Sequence, residues 1–391
     1  MKKTTFIIIG IVAVVTLFLM WLYLLIYGTP QSVTTVFTDF GLFGGAAEQT
    51  TPVPEPVVEA PVVDIKAEKL RQLTTRPAAG FREYQATSSE PRFILYAEAG
   101  TGHIYQINLE TGEEVRLSNT TIPNAESAVF SPDQKYVAVR SGYSTQSEVV
   151  LLTLVSGGTS VAENLLPRMT DFIFSAENEL LYTELTSDGT AGRILSPTTK
   201  ITRTQFSIPF QAVTMIWGID KNTPHYVYPK ATTKLNGYLY AIKNGVVIRQ
   251  PLTGQGLIAE ASSEYIIETE LQGEQPVSSI YTLATKKTSP ATIIFEPSKC
   301  AFSPRNAALL YCGYELTDYS YNYPDDWYRG TRTFNDRIWL LNLKTGSASQ
   351  LISPEKEVGR QIDITNMNAG IDGKMVYFTN KNDNTLWLYE I

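Results

Sequence analysis

The chain has 391 residues, 43% apolar and 18% charged, with 22 Tyr, 26 Gly, 21 Pro, 2 Cys and 2 His. A formal charge of −7 leaves no basic surface to offset phosphate, which argues against nucleic-acid binding. Two His leave little material for His-dependent catalysis or a His-rich metal site, and low charge with abundant Tyr suits a β-rich exported protein.

Met1-Lys2-Lys3 precedes an uncharged stretch from Phe6 to Tyr27. As a helix, residues 6–27 span roughly 33 Å at about 1.5 Å per residue, enough to cross a hydrocarbon core of about 30 Å. A cleavable signal has a shorter apolar core and a small-x-small site, which Tyr27-Gly28-Thr29-Pro30 does not supply. No Cys follows to accept a lipid. The expectation is a cytoplasmic N-terminus (1–5) and an uncleaved transmembrane helix (6–27). Lys2 and Lys3 stay inside, so the rest lies on the extracytoplasmic side of a bacterial cytoplasmic membrane. Residues 28–67 carry Gly41 to Gly45 and Thr51-Pro52-Val53-Pro54-Glu55-Pro56, the composition of a flexible, partly extended linker.

From residue 68 onward, short runs of alternating apolar and polar residues are punctuated by Gly, Asn, Asp and Ser-Pro turns, which is strand and hairpin grammar. The pattern AVFSPDQKYVAV (Ala128–Val139) recurs as CAFSPRNAALLYC (Cys300–Cys312). Looser copies are FIFSAENELLYT (Phe172–Thr183), IWGIDKNTPHYVY (Ile216–Tyr228), LIAEASSEYIIET (Leu257–Thr269) and NAGIDGKMVYF (Asn368–Phe378). The second strands then begin at Phe93, Tyr136, Leu180, His225, Tyr265, Ala308 and Met375. Five steps are 40–45 residues long and the last is 67. That spacing predicts an all-β fold, a seven-bladed β-propeller over 68–391 with four strands per blade and one insertion.

Ile104 to Gly112 (IYQINLETG) aligns with Ile338 to Gly346 (IWLLNLKTG), and each continues into a short outer strand ending in Leu. The final copy, Leu386 to Ile391, has no such continuation. Lys69-Leu70-Arg71-Gln72-Leu73-Thr74 has the matching ending, so this N-terminal strand is expected to close the ring and remove an exposed sheet edge. Ser131-Pro132-Asp133-Gln134-Lys135 resembles the Ser-Pro-Asp-Gly-Lys turn of WD40-like propeller repeats of the Tol type. Ser303-Pro304-Arg305-Asn306 and Ile371-Asp372-Gly373-Lys374 match it in part. The resemblance implies a fold, not an activity, because propellers host binders, scaffolds, hydrolases and lyases.

The insertion falls at about Tyr314 to Asp336, between the second and third strands of the sixth blade. Its candidate ligand- or partner-binding residues are Tyr319, Tyr321, Tyr323, Asp325, Asp326, Trp327, Tyr328, Arg329 and Arg332. Aromatic rings offer contact area at low entropic cost, and Arg with carboxylates adds orientation; the alternative is a lid that packs its rings on its own blade. Cys300 and Cys312 flank one hairpin with matching parity, and pairing Phe302 with Leu310 sets them opposite each other, so a disulfide is expected outside the cytoplasm. Asp325-Asp326 reads as a turn after Pro324, His103 and His225 as structural or surface residues, and Asn380 to Asn384 as a hairpin turn. No metal or cofactor is expected. The function these features imply is a membrane-anchored, non-catalytic module that binds or scaffolds an envelope protein or glycan. The rival is a polysaccharide hydrolase or lyase with its site at the channel mouth.

Overall fold

A computed structural model describes residues 68–391, apart from 86, 88, 143–147, 156–158, 165–168, 219–222 and 316–321, together with Thr16 and Leu19. The chain divides into two compact units, Met1–Ala60 and Pro61–Ile391. In the first, Thr16 and Leu19 are helical and exposed. Among the described residues no helix is long and apolar enough to cross a membrane. The span expected over 6–27 and the linker over 28–67 otherwise lie outside them.

The second unit is all-β apart from three single helical turns among its described residues. Its strands form antiparallel meanders. The first runs through Ala78–Tyr84, Phe93–Glu98, Ile104–Asn108 and Glu114–Arg116. The second leads with Ala125–Phe130, the third with Met169–Phe174, the fourth with Val213–Ile216 and the sixth with Cys300–Ser303. The fourth and fifth share one seven-stranded sheet, because the long strand Val246–Ala261 serves both. It pairs with Asn236–Lys243 up to Gln255, then with Tyr265–Gln272 from Gln255 to Ala261. The register slips between Gln255 and Ile258, where Gly256 adopts φ +63°. The seventh meander comprises Ile364–Ala369, Met375–Asn380, Leu386–Glu390 and, as its outer strand, Leu70–Gln72. The last pairing is Leu70 with Tyr389, Arg71 with Leu388 and Gln72 with Trp387.

Apolar alternation along each strand buries one face against the preceding meander and the other against the next. Tyr84, Leu95 and Ile104 of the first meander thus pack on Phe130, Val137 and Val139 of the second. Equivalent clusters join the second to the third around Leu151 and Phe172, the third to the fourth around Phe206 and Val227, and the fourth to the fifth around Tyr228 and Ile258. Others join the fifth to the sixth around Ile267 and Leu310, and the sixth to the seventh around Tyr311 and Phe378. A further cluster packs Leu386, Leu388 and Tyr377 of the seventh on Ile94, Tyr96 and Ile107 of the first. The leading strands of the first two meanders approach backbone to backbone. A Cβ on Gly80 would lie 1.9 Å from the Ala128 carbonyl oxygen, so only glycine fits there.

Local chemistry sets the turns. In the two aligned segments, Asn108 Oδ1 accepts from the amides of Glu110 and Thr111, and Asn342 Oδ1 from those of Lys344 and Thr345. Gly112 and Gly346 then take φ of +75° and +74°. In the Ser131–Lys135 turn, Ser131 Oγ donates to Asp133 Oδ1 at 2.7 Å and accepts from Tyr136 N at 2.9 Å. Gln134 is left-handed there (φ +63°), at the position glycine takes in the related turn of the seventh meander, Gly373 at φ +72°. Strands begin where the repeat places them at Phe93, Tyr136, Leu180, His225, Tyr265 and Met375. The exception is the sixth meander. Its second strand starts at Asn306 rather than Ala308, because Ser303 pairs directly with Asn306 across the tight turn.

Candidate functional site

The sixth meander's second strand, Asn306–Tyr314, leads into the insertion, and Arg337–Asn342 receives the chain back. Cys300 and Cys312 sit opposite each other with Phe302 on Leu310, as parity requires. They form a disulfide with Cα atoms 4.1 Å apart, beside the root of the insertion. Within the insertion, Asp325–Tyr328 forms one turn of helix rather than an irregular loop. It follows Pro324 and carries Asp325 and Asp326 in its first turn, the end of a helix that favours negative charge.

The insertion is a strap tied at three places. On the fourth meander, Asp325 Oδ2 accepts from Thr233 N at 2.7 Å and from Thr232 Oγ1 at 3.2 Å. Burial works to raise the Asp325 carboxyl pKa, but these hydrogen bonds outweigh it and hold the group below its usual range. On the seventh meander, the Trp327 indole N–H donates to both oxygens of Asp363 at 3.0 and 3.1 Å. The Lys381 ammonium donates to the Trp327 carbonyl and lies 4.1 Å from the centre of its ring. On its own meander, the small buried core of Tyr323, Trp327 and Phe334 rests on Lys299, which immediately precedes the leading strand at Cys300.

Beneath that core lies Lys299, 2% exposed. Its ammonium reaches Asp336 Oδ2 and Asp363 Oδ1, each at 2.6 Å, and both carboxylates are sealed from solvent. The rings of Phe334 and Trp327 flank the charge at 4.4 and 4.9 Å. The backbone completes the cluster: Ile364 N donates to Asp336 Oδ2, and Asp363 N to Asn380 Oδ1. Burial holds the Asp336 carboxyl above its usual range, although Lys299 pulls the other way. A buried pair of this kind adds little net stability over an apolar core, but it fixes one geometry and makes loss of either partner costly.

A line of acids, buried at Glu296 and half-buried at Glu260 and Asp171, extends from this cluster. Burial pushes Glu296 up to about 7, and its Oε1 accepts from Ser298 Oγ at 2.7 Å. Burial likewise pushes Glu260 up to about 7, with the Asp171 carboxylate adding to the effect. Tyr228 is an electrostatic neighbour of both Glu260 and Glu296; burial keeps its hydroxyl protonated, and that hydroxyl donates to the Ala259 carbonyl at 3.3 Å. Asp171 in turn takes the Trp217 indole N–H at 3.4 Å. Away from the strap, a cleft of about 490 Å³ opens between the third and fourth meanders, lined in part by Glu179, Arg203, Gln205, His225 and Lys243. His225 accepts the Gly218 amide at Nδ1 (2.9 Å), and its Nε2 lies 2.8 Å from the Gln205 amide. Burial holds its ring down at about 4, so it is neutral and structural.

Of the residues read as binding candidates, Tyr319 and Tyr321 lie outside the described residues. Tyr323 and Trp327 are buried at 3% and 5% exposure and so hold the strap instead of displaying rings. Asp325 is taken by Thr232 and Thr233, and the Arg332 guanidinium stacks 5.0 Å from the Phe334 ring. Asp326 accepts from the amides of Thr331 and Arg332 through its carbonyl, while its carboxylate lies 4.0 Å from Arg329. Tyr328, at 39% exposure, and Arg329 remain on the surface. Sequence reasoning missed Lys299, Asp336 and Asp363. No local motif marks them, since they are far apart in sequence and meet only through strand register.

No protein-family model and no curated protein matches the chain. Among solved structures it is similar to an oligogalacturonate lyase in complex with manganese, with a TM-score of 0.51 and 12% identity over 81% of this chain and 96% of that one. It is also similar to the Cps50 (Swd1) β-propeller domain of Myceliophteria thermophila, with a TM-score of 0.50 and 11% identity over 82% and 99%. At such identities the likeness shows a β-propeller fold and nothing of activity. TolB from Acinetobacter baumannii matches at a TM-score of 0.42 and 14% identity; the match takes in 63% of this chain and 58% of TolB, too loose to carry the Tol-type turn beyond the general fold.

Proposed function

We propose that the all-β unit is a seven-bladed propeller with its ring closed by Leu70–Gln72. A helix over 6–27 and a linker over 28–67 hold it on the extracytoplasmic face of a bacterial cytoplasmic membrane. There it serves as a non-catalytic binding or scaffolding module for an envelope protein or glycan, engaged through the face that bears the strap. The observation that carries this reading is the strap's attachment to the fourth, sixth and seventh meanders. Its buried aromatic and charged side chains are consumed in holding it, and Tyr328 and Arg329 are left on a fixed support. An aromatic and an arginine displayed without further ordering are the residue types that dominate recognition surfaces.

The test is a pull-down from envelope extract with the Tyr328→Ala/Arg329→Ala double variant of the full chain. Expected is loss of capture with an unchanged urea midpoint; undiminished capture overturns the reading. A reporter fused after residue 391 that is active only outside the cytoplasm checks the orientation. The second reading, cleavage of a polysaccharide, draws on the half-buried Glu260. A carboxyl pushed up to about 7 is protonated often enough near neutral pH to act as a general acid. New reducing or unsaturated ends released from an envelope polysaccharide, and lost in Glu260→Gln, would replace the binding reading with that one.

A further inference from the structure

The seat under the strap contains one buried carboxylate oxygen that its neighbours do not satisfy. Glu296 is 3% exposed; Oε1 takes the Ser298 hydroxyl at 2.7 Å, while Oε2 meets no protein donor. Leaving such an atom unpaired costs about 1–3 kcal/mol, so a native fold ordinarily supplies a partner. On the other side of the same seat, the Lys299 ammonium has three N–H donors, of which two serve Asp336 and Asp363. Between them lies a cavity of about 10 Å³, lined by Glu296, Lys299, Tyr314, Phe334, Asp336 and the half-buried Glu315, among others. A space of about 10–15 Å³ with two or more polar partners is the minimum that holds one water, and no larger ligand fits it.

We propose that this cavity is a binding site for a single water molecule that accepts the third N–H of Lys299 and donates to Glu296 Oε2. The water completes the seat of the strap. It links the acid that precedes the sixth meander to the cation that grips Asp363, the carboxylate on which Trp327 rests. It also gives the ammonium a fourth, tetrahedral environment: two carboxylates, one water and its own side chain, with the Phe334 and Trp327 rings closing the remaining sides. Its walls are buried residues except for the half-buried Glu315, so it exchanges with bulk solvent when Glu315 or the strap moves aside.

Oxygen-17 magnetic relaxation dispersion on the full chain counts such long-lived internal waters. Glu296→Leu, which removes the acceptor and fills space, is expected to lower the count by one. Glu296→Gln, which keeps a polar group there, is expected to leave it unchanged. An equal count in the parent and Glu296→Leu overturns the proposal. If Glu296→Leu does not fold, density from the unmodified full chain at 1.5 Å or better decides the matter. A discrete peak within hydrogen-bond distance of both Lys299 Nζ and Glu296 Oε2 supports the site. Featureless density, with the ammonium turned onto the Phe334 ring, removes it.

Discussion

Replacing Lys299 with Met keeps the side chain out to its ε position and removes the ammonium between Asp336 and Asp363. Both carboxylates touch Nζ at 2.6 Å, so their nearest oxygens are at most about 5 Å apart. At an effective dielectric of about 20, two charges at that distance repel by about 3 kcal/mol. Their uncompensated burial brings the expected loss to about 3–5 kcal/mol. The assay is urea unfolding of the full chain at pH 8 and pH 5.5, where a fall in midpoint at constant slope reports stability. The deficit should be larger at pH 8. With the ammonium gone the carboxyl pair binds a proton more tightly folded than unfolded, so stability is recovered as pH falls. Adding Asp336→Asn and Asp363→Asn should restore much of it, since the cost lies in the unpaired charges. The reasoning fails if Lys299→Met unfolds with its parent at pH 8, or if its deficit is the same at both pH values.

Three further outcomes are expected. Glu260, Glu268 and Glu296, each pushed up to about 7 by burial, bind protons more tightly in the folded state between about pH 4.5 and 7, so the melting temperature should fall as pH rises across that window. His225, held down at about 4 by burial, opposes this below pH 6.5, where its contribution is lost as pH falls; Glu268→Gln should flatten the net slope, and a melting temperature rising from pH 5.5 to 7.5 would contradict it. Replacing both Cys300 and Cys312 with Ala should lower stability by about 3 kcal/mol in urea unfolding, the loop-closure value for a short loop, here with a sequence separation of 12. Gly80→Ala must displace the Ala128 carbonyl and should cost about 1–3 kcal/mol by thermal melting, whereas Gly273→Ala, with open space at its Cβ but a positive φ, should cost about 1 kcal/mol.

Much of the architecture is legible in the sequence because strands here are local objects bounded by local turns. Six of the strand starts follow from apolar alternation and turn residues alone, and the pairing of Cys300 with Cys312 follows from parity. The strand Leu70–Gln72 is recognisable because the last meander lacks an outer strand and Leu70 to Thr74 has the shape of one. The site is less legible. Tyr323 and Trp327 look like displayed rings, yet whether a ring faces solvent depends on what lies beneath it, here an ion pair assembled from three separate segments. Nothing local in the sequence singles out Lys299, Asp336 or Asp363. Only the sheet register brings them within reach of one another.

The pairing of Leu70–Gln72 with Leu386–Glu390 also decides where a tug on the chain is felt. A force applied at Glu68 does not reach the first meander first. It loads three residue pairs and the Arg71–Glu390 ion pair, on a strand more than 300 residues further along the chain. The same arrangement orders assembly on the ribosome: Leu70–Gln72 must wait for its partner strand until Leu386–Glu390 has been made.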